Sequence, residues 1–363
     1  MKNRGKWLIF PLIVLVVGSA YFGFAKVHSL VVGNLFVGRA STYQALEEKM
    51  IYQIRKSWKD YPSLRERDEF DFEESGDWHH AYFYEAENPK GLILLAHGYS
   101  SLSDGHEASL ADYFLRDGWS ILQIDLTASG KDDDDQVGGF HVGANDIAET
   151  IRYLGKESRF ASYRDSFCLL GFSWGAYAVS AALSHSFDIV PKAVASFAGF
   201  NSPAEEMLAM AKEYVGGLAD FVRPSFELSL SENFGQEAFL SAVSGFNHSP
   251  DCKVILVQGR DDKRVPVDSA SIWHFADTIE NPMRLIRYQD ALLPRDHASV
   301  FYSDEAFEYY ANEAEKDYSE LLKKYGGKAA IPKEELNRIK EKSSIVDEEL
   351  LSFVSGQFAS AIA

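Results

Sequence analysis

A doubly wound, mostly parallel α/β sheet is predicted by three features of the 363-residue sequence. Nearly continuous apolar runs such as GLILLAH at 91–97 suit strands buried on both faces. Such runs alternate with segments of helical periodicity through most of the chain. Hydrophobic content of 46% and aromatic content of 13% exclude a largely disordered chain.

The elements follow in order. Trp7 to Ala25 is a stretch of 19 residues without a charge, which at about 1.5 Å per residue just spans a hydrocarbon core of roughly 30 Å. Lys2, Arg4 and Lys6 precede it and orient the N-terminus to the cytoplasm, with the body outside. Gly18-Ser19-Ala20 and Gly23-Phe24-Ala25 would also serve as signal cleavage sites. Residues 1–39 are therefore expected to form a single-pass transmembrane anchor, or a signal segment whose removal secretes the body. The apolar character resumes in VHSLVVGNLFVG, which is longer than a signal peptide needs. Residues 40–67 are expected to form a linking helix. It starts at a capping box of Ser41 and Gln44, with Leu46, Met50, Ile51, Ile54 and Trp58 at helical spacing.

The remaining residues, 68–363, read as one domain. Strands are predicted near 68–73, 78–84, 91–97, 119–125, 166–172, 193–199, 253–259 and 283–289. Helices are predicted at 106–117, 143–157, 175–185 and 268–279. The stretch 201–250 lies between two core strands, and Met207, Leu208, Met210, Tyr214, Leu218 and Phe221 make it apolar. These side chains are expected to pack on the domain. Residues 303–346 are a charged, helix-prone extension, and 347–362 a final amphipathic helix packed on the sheet.

Charge excludes some functions. The net charge is −18, yet residues 1–39 hold five basic residues and no acidic one. The rest carries 31 basic against 54 acidic residues, a net of −23. Such a body repels nucleic acid, so no nucleic-acid partner is expected. Two cysteines cannot make a disulfide framework or a Cys-based zinc site. The run Asp132 to Asp135 reads as a solvated loop rather than a calcium site, and His79-His80 as ordinary strand residues facing opposite ways.

The chemistry concentrates at Gly171-Phe172-Ser173-Trp174-Gly175. A buried run, FCLL, precedes it and a helix of small residues follows. This strand, turn and helix setting forces the serine into strained backbone angles and stands its hydroxyl clear at the carboxyl edge of the sheet. The helix amides behind it favour developing negative charge. A serine nucleophile needs a base and the base needs an orienting acid. His297 lies after the last strand-like run, and Asp262 just past KVILVQG. Ser173, Asp262 and His297 thus occur in a recurring chain order of serine hydrolases.

With HGYS at 97–100, GFSWG at 171–175, the G-x-x-D-x-x-V-P segment at 259–266 and Asp296-His297, the sequence resembles serine hydrolases of the α/β-hydrolase superfamily over roughly residues 68–300. The similarity is greatest to the membrane-anchored bacterial branch of esterases, lipases and serine-aminopeptidase-like proteins. Asp296 stands where that family often has glycine. The resemblance implies an α/β-hydrolase fold with a helical cap insertion at about 201–250, which would also offer a wall to an acyl group, and Asp262 as triad acid with Asp261 as its rival. It implies an oxyanion hole from the amides of Tyr99 and Trp174, with His97 and Gly98 shaping the loop. In that family's strand order Cys168 and Cys252 are not on neighbouring strands, so both are expected to be buried free thiols. No metal or organic cofactor is called for. The implied substrate is a small-molecule or lipid-like ester with an apolar acyl group. Peptide hydrolysis, or a non-catalytic membrane-tethered binding module, is the alternative.

Overall fold

The computed structural model describes residues 50–363 apart from 100, 102–104, 106, 133, 135 and 281–284. The anchor or signal segment of residues 1–39, and the start of the linking helix, lie outside the described residues. Among those described, no helix is long and apolar enough to cross a membrane.

The chain runs α1 (Met50–Ile54), β1 (Asp68–Glu74), β2 (Asp77–Tyr84), β3 (Leu92–Ala96), α2 (Ala108–Arg116), β4 (Ser120–Ile124) and α3 (Val142–Lys156). It continues through β5 (Phe167–Phe172), α4 (Trp174–Ala181) and β6 (Ala193–Phe197) to α5 (Pro203–Val215), α6 (Leu218–Phe234) and α7 (Ala242–His248). Then come β7 (Lys253–Val257), α8 (Ile272–Phe275), β8 (Leu285–Arg287), α9 (Asp304–Tyr309), α10 (Glu315–Tyr325), α11 (Lys333–Ser343) and α12 (Glu348–Ile362). Among the described residues the strands form one sheet in the order β1-β2-β4-β3-β5-β6-β7-β8. The hairpin β1–β2 and the pair β2–β4 are antiparallel, and every other pair is parallel. Ser75 and Gly76 close the hairpin with φ of 59° and 102°, the left-handed angles a two-residue turn between right-twisted strands requires. The edge strand β1, DEFDFEE, carries an exposed row of acids that discourages pairing with another chain.

Burial on both faces explains the unbroken apolar runs. Along β3, Leu92, Leu94 and Ala96 join a core beneath α3 and α4, while Ile93 and Leu95 join a second core beneath α2 and α12. The terminal helix α12 belongs to the second core: Leu350, Leu351, Val354 and Phe358 are each fully buried. Trp119 donates its indole N–H to Ser355 Oγ at 2.9 Å.

Three predicted elements are shorter than their periodicity suggested. The linking helix expected over 40–67 ends at Ile54, and Trp58 falls instead in a separate 3-10 turn, Trp58–Asp60. The helix expected over 268–279 is reduced to α8 with a 3-10 turn at Ala276–Thr278. The backbone of 269–271 is used elsewhere: the amides of Ser269, Ala270 and Ser271 turn back onto the Pro266 carbonyl, and Ala270 O accepts from Asn201 N. The strand expected over 283–289 is described only as β8, followed by a turn in which Gln289 takes φ of 55°. The stretch 201–250 is helical, as α5, α6 and α7.

If α12 is integral, truncating Phe358, which packs on Phe114 and Trp119, should be severe. Phe358→Ala is expected to lower unfolding free energy by about 3–5 kcal/mol in urea titrations, against under about 0.5 kcal/mol for exposed Ser352→Ala.

Candidate active site

The turn between β5 and α4 sets the geometry. Ser173 has φ of 55° and ψ of −117°, a strained conformation for a residue with a side chain. Its amide donates to Phe197 O at 2.9 Å, and its carbonyl accepts from Tyr177 N as α4 begins. The flanking glycines are sterically required. A Cβ on Gly171 would lie 2.2 Å from Gly175 O, and one on Gly175 2.2 Å from Ala96 O.

His297 Nε2 lies 2.9 Å from Ser173 Oγ, and its Nδ1 lies 2.8 Å from Asp262 Oδ2. A carboxylate only accepts, so Nδ1 carries the proton and Nε2 is left to accept from the serine hydroxyl. Asp262 is buried, and its carboxylate also accepts from Gln258 Nε2 and from the amides of Arg264 and Val265 at 2.8–3.0 Å. Asp261 instead faces Arg260 in solvent at 3.6 Å, so of the adjacent pair it is Asp262 that reaches the imidazole.

Two loops bring these residues together across 35 positions of sequence. Arg260 N and Asp261 N donate to the carbonyls of Leu293 and Arg295, extending the sheet's pairing beyond β7. Gly259 permits this, since a Cβ there would meet Arg295 O at 2.4 Å. The buried Arg295 guanidinium then ties the histidine loop to Asp304 at 2.8 Å and to Asp347 at 2.7 Å. Phe172 backs the His297 ring at a centroid distance of 5.0 Å.

On the opposite side, His97 commits both ring nitrogens to backbone: Nδ1 donates to Gly98 O at 2.9 Å and Nε2 accepts from Leu126 N at 3.1 Å. It therefore shapes the loop and is not placed to act as base or metal ligand. Gly98 N is held by Glu107 Oε1 at 3.0 Å. The amides of Tyr99 and Trp174 have no acceptor among the described residues. A cavity of about 400 Å³ opens at Ser173 and His297. Its walls are mostly apolar, with Phe140, Phe172 and Phe200, and it is completed by Glu206 and Met210 from α5, Arg264, and Ile51 and Tyr52 from α1.

Sequence reasoning did not single out Gln258, Glu107, Ile51 or Tyr52. Gln258 and Glu107 are isolated polar residues with no motif around them. Ile51 and Tyr52 sit on a helix far in sequence from the serine.

The fold can now be placed among known ones. No protein-family model matches the chain, and no relative is found among curated proteins. Among solved structures, an esterase of Pyrococcus furiosus superposes with a TM-score of 0.50 at 17% identity, over 71% of this chain and 91% of that one. An acylaminoacyl peptidase in complex with Z-Gly-Gly-Phe-chloromethyl ketone superposes with a TM-score of 0.50 at 18% identity, over 76% of this chain and 44% of that one. The chain has the α/β-hydrolase fold.

The loop after β4 adds a further correction to the sequence reading. The acidic loop after β4 is not simply solvated. Asp133 and Asp135 lie outside the described residues, but Asp132 is buried and accepts from Ala128 N and Asp134 N. Burial pushes its carboxyl up to about 7, and the Asp146 and Asp134 charges add to this. Burial likewise raises Asp146 to about 6, although Thr127 donates to it twice. Burial opposes charge on His79 too, but its 2.7 Å contact with Glu149 and the nearby aspartates raise its pKa. No cluster able to hold a metal occurs among the described residues. Cys168 and Cys252 are buried free thiols.

An acid whose pKa rises on folding binds more protons folded than unfolded, so its ionisation weakens the fold as pH climbs from about 4 through 7. Asp132→Asn escapes that loss. Its melting temperature, relative to the unaltered protein, is expected to climb from pH 4 to pH 8; a constant difference across that range would refute the assignment.

Proposed function

We propose that this chain is a serine hydrolase that transfers an acyl group from an ester with an apolar acyl chain to water. The observation that carries the reading is the continuous hydrogen-bonded series Ser173–His297–Asp262, standing at the floor of a mostly apolar cavity. Ser173 Oγ attacks the carbonyl carbon while its proton passes to His297 Nε2. Asp262 holds the Nδ1 proton and stabilises the imidazolium. The tetrahedral oxyanion is received by the amides of Tyr99 and Trp174. Collapse expels the alcohol, which takes the proton from His297. Water, deprotonated by the same imidazole, then releases the acid and restores the serine. No step draws on a metal or organic cofactor.

Peptide-bond cleavage is the second reading, favoured by the Glu206 carboxylate in the same cavity, which suits a substrate amine. A fluorophosphonate probe and a series of p-nitrophenyl esters test the proposal together. The unaltered protein is expected to be labelled, and Ser173→Ala is not. Asp262→Asn is expected to lower kcat about 10⁴-fold and Asp261→Asn to stay within about twofold. Turnover that rises with acyl length supports the apolar-acyl reading, whereas no labelling of the unaltered protein ends the hydrolase reading.

We also propose that residues 7–25 tether the body to a membrane, on its extracytoplasmic side. Mass spectrometry of the membrane fraction should recover peptides from residues 1–39 joined to the body. A mature N-terminus near residue 21 or 26 would instead mark a cleaved signal.

A further inference from the structure

The short helix α1 and the residue after it touch both halves of the site from outside the hydrolase sheet. Tyr52 OH lies 3.0 Å from Ser101 Oγ. Ser101 Oγ donates to Glu107 Oε2 at 2.7 Å, so the tyrosine is the donor to Ser101. Glu107 is fully buried, and its other oxygen accepts from Gly98 N, the residue beside Tyr99. A relay of three hydrogen bonds thus runs from α1 to the loop bearing one oxyanion amide.

Three residues further on, Arg55 reaches the other half. It is 1% exposed, and its Nη2 donates to Ser299 Oγ at 2.9 Å. Ser299 belongs to the 3-10 turn His297–Ser299, which carries the base. The guanidinium lies between two aromatic faces, 3.7 Å from the centroid of Tyr302 and 4.2 Å from that of Tyr310. Tyr310 opens a π-helical turn, Tyr310–Ala314, between α9 and α10. No carboxylate among the described residues pairs with Arg55. Burying a cation with aromatic faces and one hydroxyl as partners is costly, and an apolar side chain of similar volume often serves a fold as well or better. The retained charge therefore points away from a purely structural purpose.

We propose that Tyr52 and Arg55 are positioning residues: α1 clamps the oxyanion loop through Tyr52–Ser101–Glu107 and the histidine turn through Arg55–Ser299, fixing the distance across which Ser173 works. This rests on the serine-hydrolase reading. The clamp acts at a distance scale where displacement by about 1 Å costs on the order of 10²-fold in rate. It also makes α1 a working part of the site, because Ile51 and Tyr52 line the cavity.

Tyr52→Phe, Arg55→Met, Ser299→Ala and the double variant Arg55→Met/Ser299→Ala test the clamp. The measurements are fluorophosphonate labelling rate, kcat and KM on a p-nitrophenyl ester, and melting temperature. Tyr52→Phe and Arg55→Met are expected to lower labelling rate and kcat roughly tenfold or more, with KM within about threefold. Methionine at 55 is expected to keep or raise the melting temperature, so the loss of rate is not a loss of fold. The double variant is expected to be no slower than Arg55→Met alone, since both remove one contact. Should Arg55→Met fail to fold, Ser299→Ala, which removes a single hydroxyl, is expected to show the fall in kcat by itself. Folded variants with rates within about twofold of the unaltered protein overturn the clamp, as do additive losses in the double variant or a change confined to KM. In each of these cases the unaltered protein is still labelled and the hydrolase reading stands; failure to label the unaltered protein removes both.

Discussion

Everything at the site depends on how closely α4 approaches β3 and β5. Gly171 faces the backbone of Gly175, and Gly175 faces the carbonyl of Ala96, with no room for a Cβ at either position. Only that approach allows the chain to reverse within Ser173, whose positive φ is held by its amide bond to Phe197 O and by the first turn of α4. The strain is local and the support is broad: β5 is fully buried between β3 and β6, and α4 is fully buried against it. A strained turn persists where its surroundings over-determine it. Here the orientation of Ser173 is therefore a property of the sheet centre, not of a loop free to adjust.

The partners of the serine come from less constrained backbone, and they are held by polar rather than steric means. Asp262 is fixed by three donors besides His297, two of them backbone amides within its own turn. Gln258 joins that set by turning its own carbonyl oxygen to Ser271 Oγ at 2.7 Å. The histidine loop is pinned by Arg295 to two carboxylates that belong to the C-terminal helical extension and the cap of α12. The charged region 303–346, in which the sequence displays no chemistry of its own, thus contributes Asp304 to the support of the His297 loop and Tyr310 to the burial of Arg55.

What was legible in the sequence follows the same division. Steric constraints leave short, local signatures. The glycines around Ser173, Gly259 before Asp262 and the apolar strands preceding them all sit within a few residues of the group they position. The order of the elements and the three residues of the hydrogen-bonded series could be read for that reason. Polar supports leave none, because a single polar residue outside any motif does not announce its partner, whether near or far: Glu107 serves Gly98 from nine positions away, and Arg55 serves Ser299 across 244. The helix expected over 268–279 failed for a related reason. Its periodicity is real, but the first residues spend their backbone on the Pro266 turn and on Asn201, a tertiary demand that local pattern does not record.

The acidic loop is the sharpest case of charge being misjudged by composition. A run of four aspartates reads as solvated because unpaired carboxylates resist burial. The loop overrides this by giving its first aspartate backbone donors and letting it take up a proton near neutrality. The same loop is tied to the site at its two ends, by Leu126 N to His97 and by Phe140 O to the indole of Trp174, while Thr127 bonds Asp146 of α3 and Ala128 N bonds Asp132 within the loop. The indole N–H of Trp174 donates to Phe140 O at 2.7 Å, which locks its ring. A body carrying a net of −23 beyond residue 39 thus uses part of its acidity internally, as hydrogen-bond acceptors that position backbone.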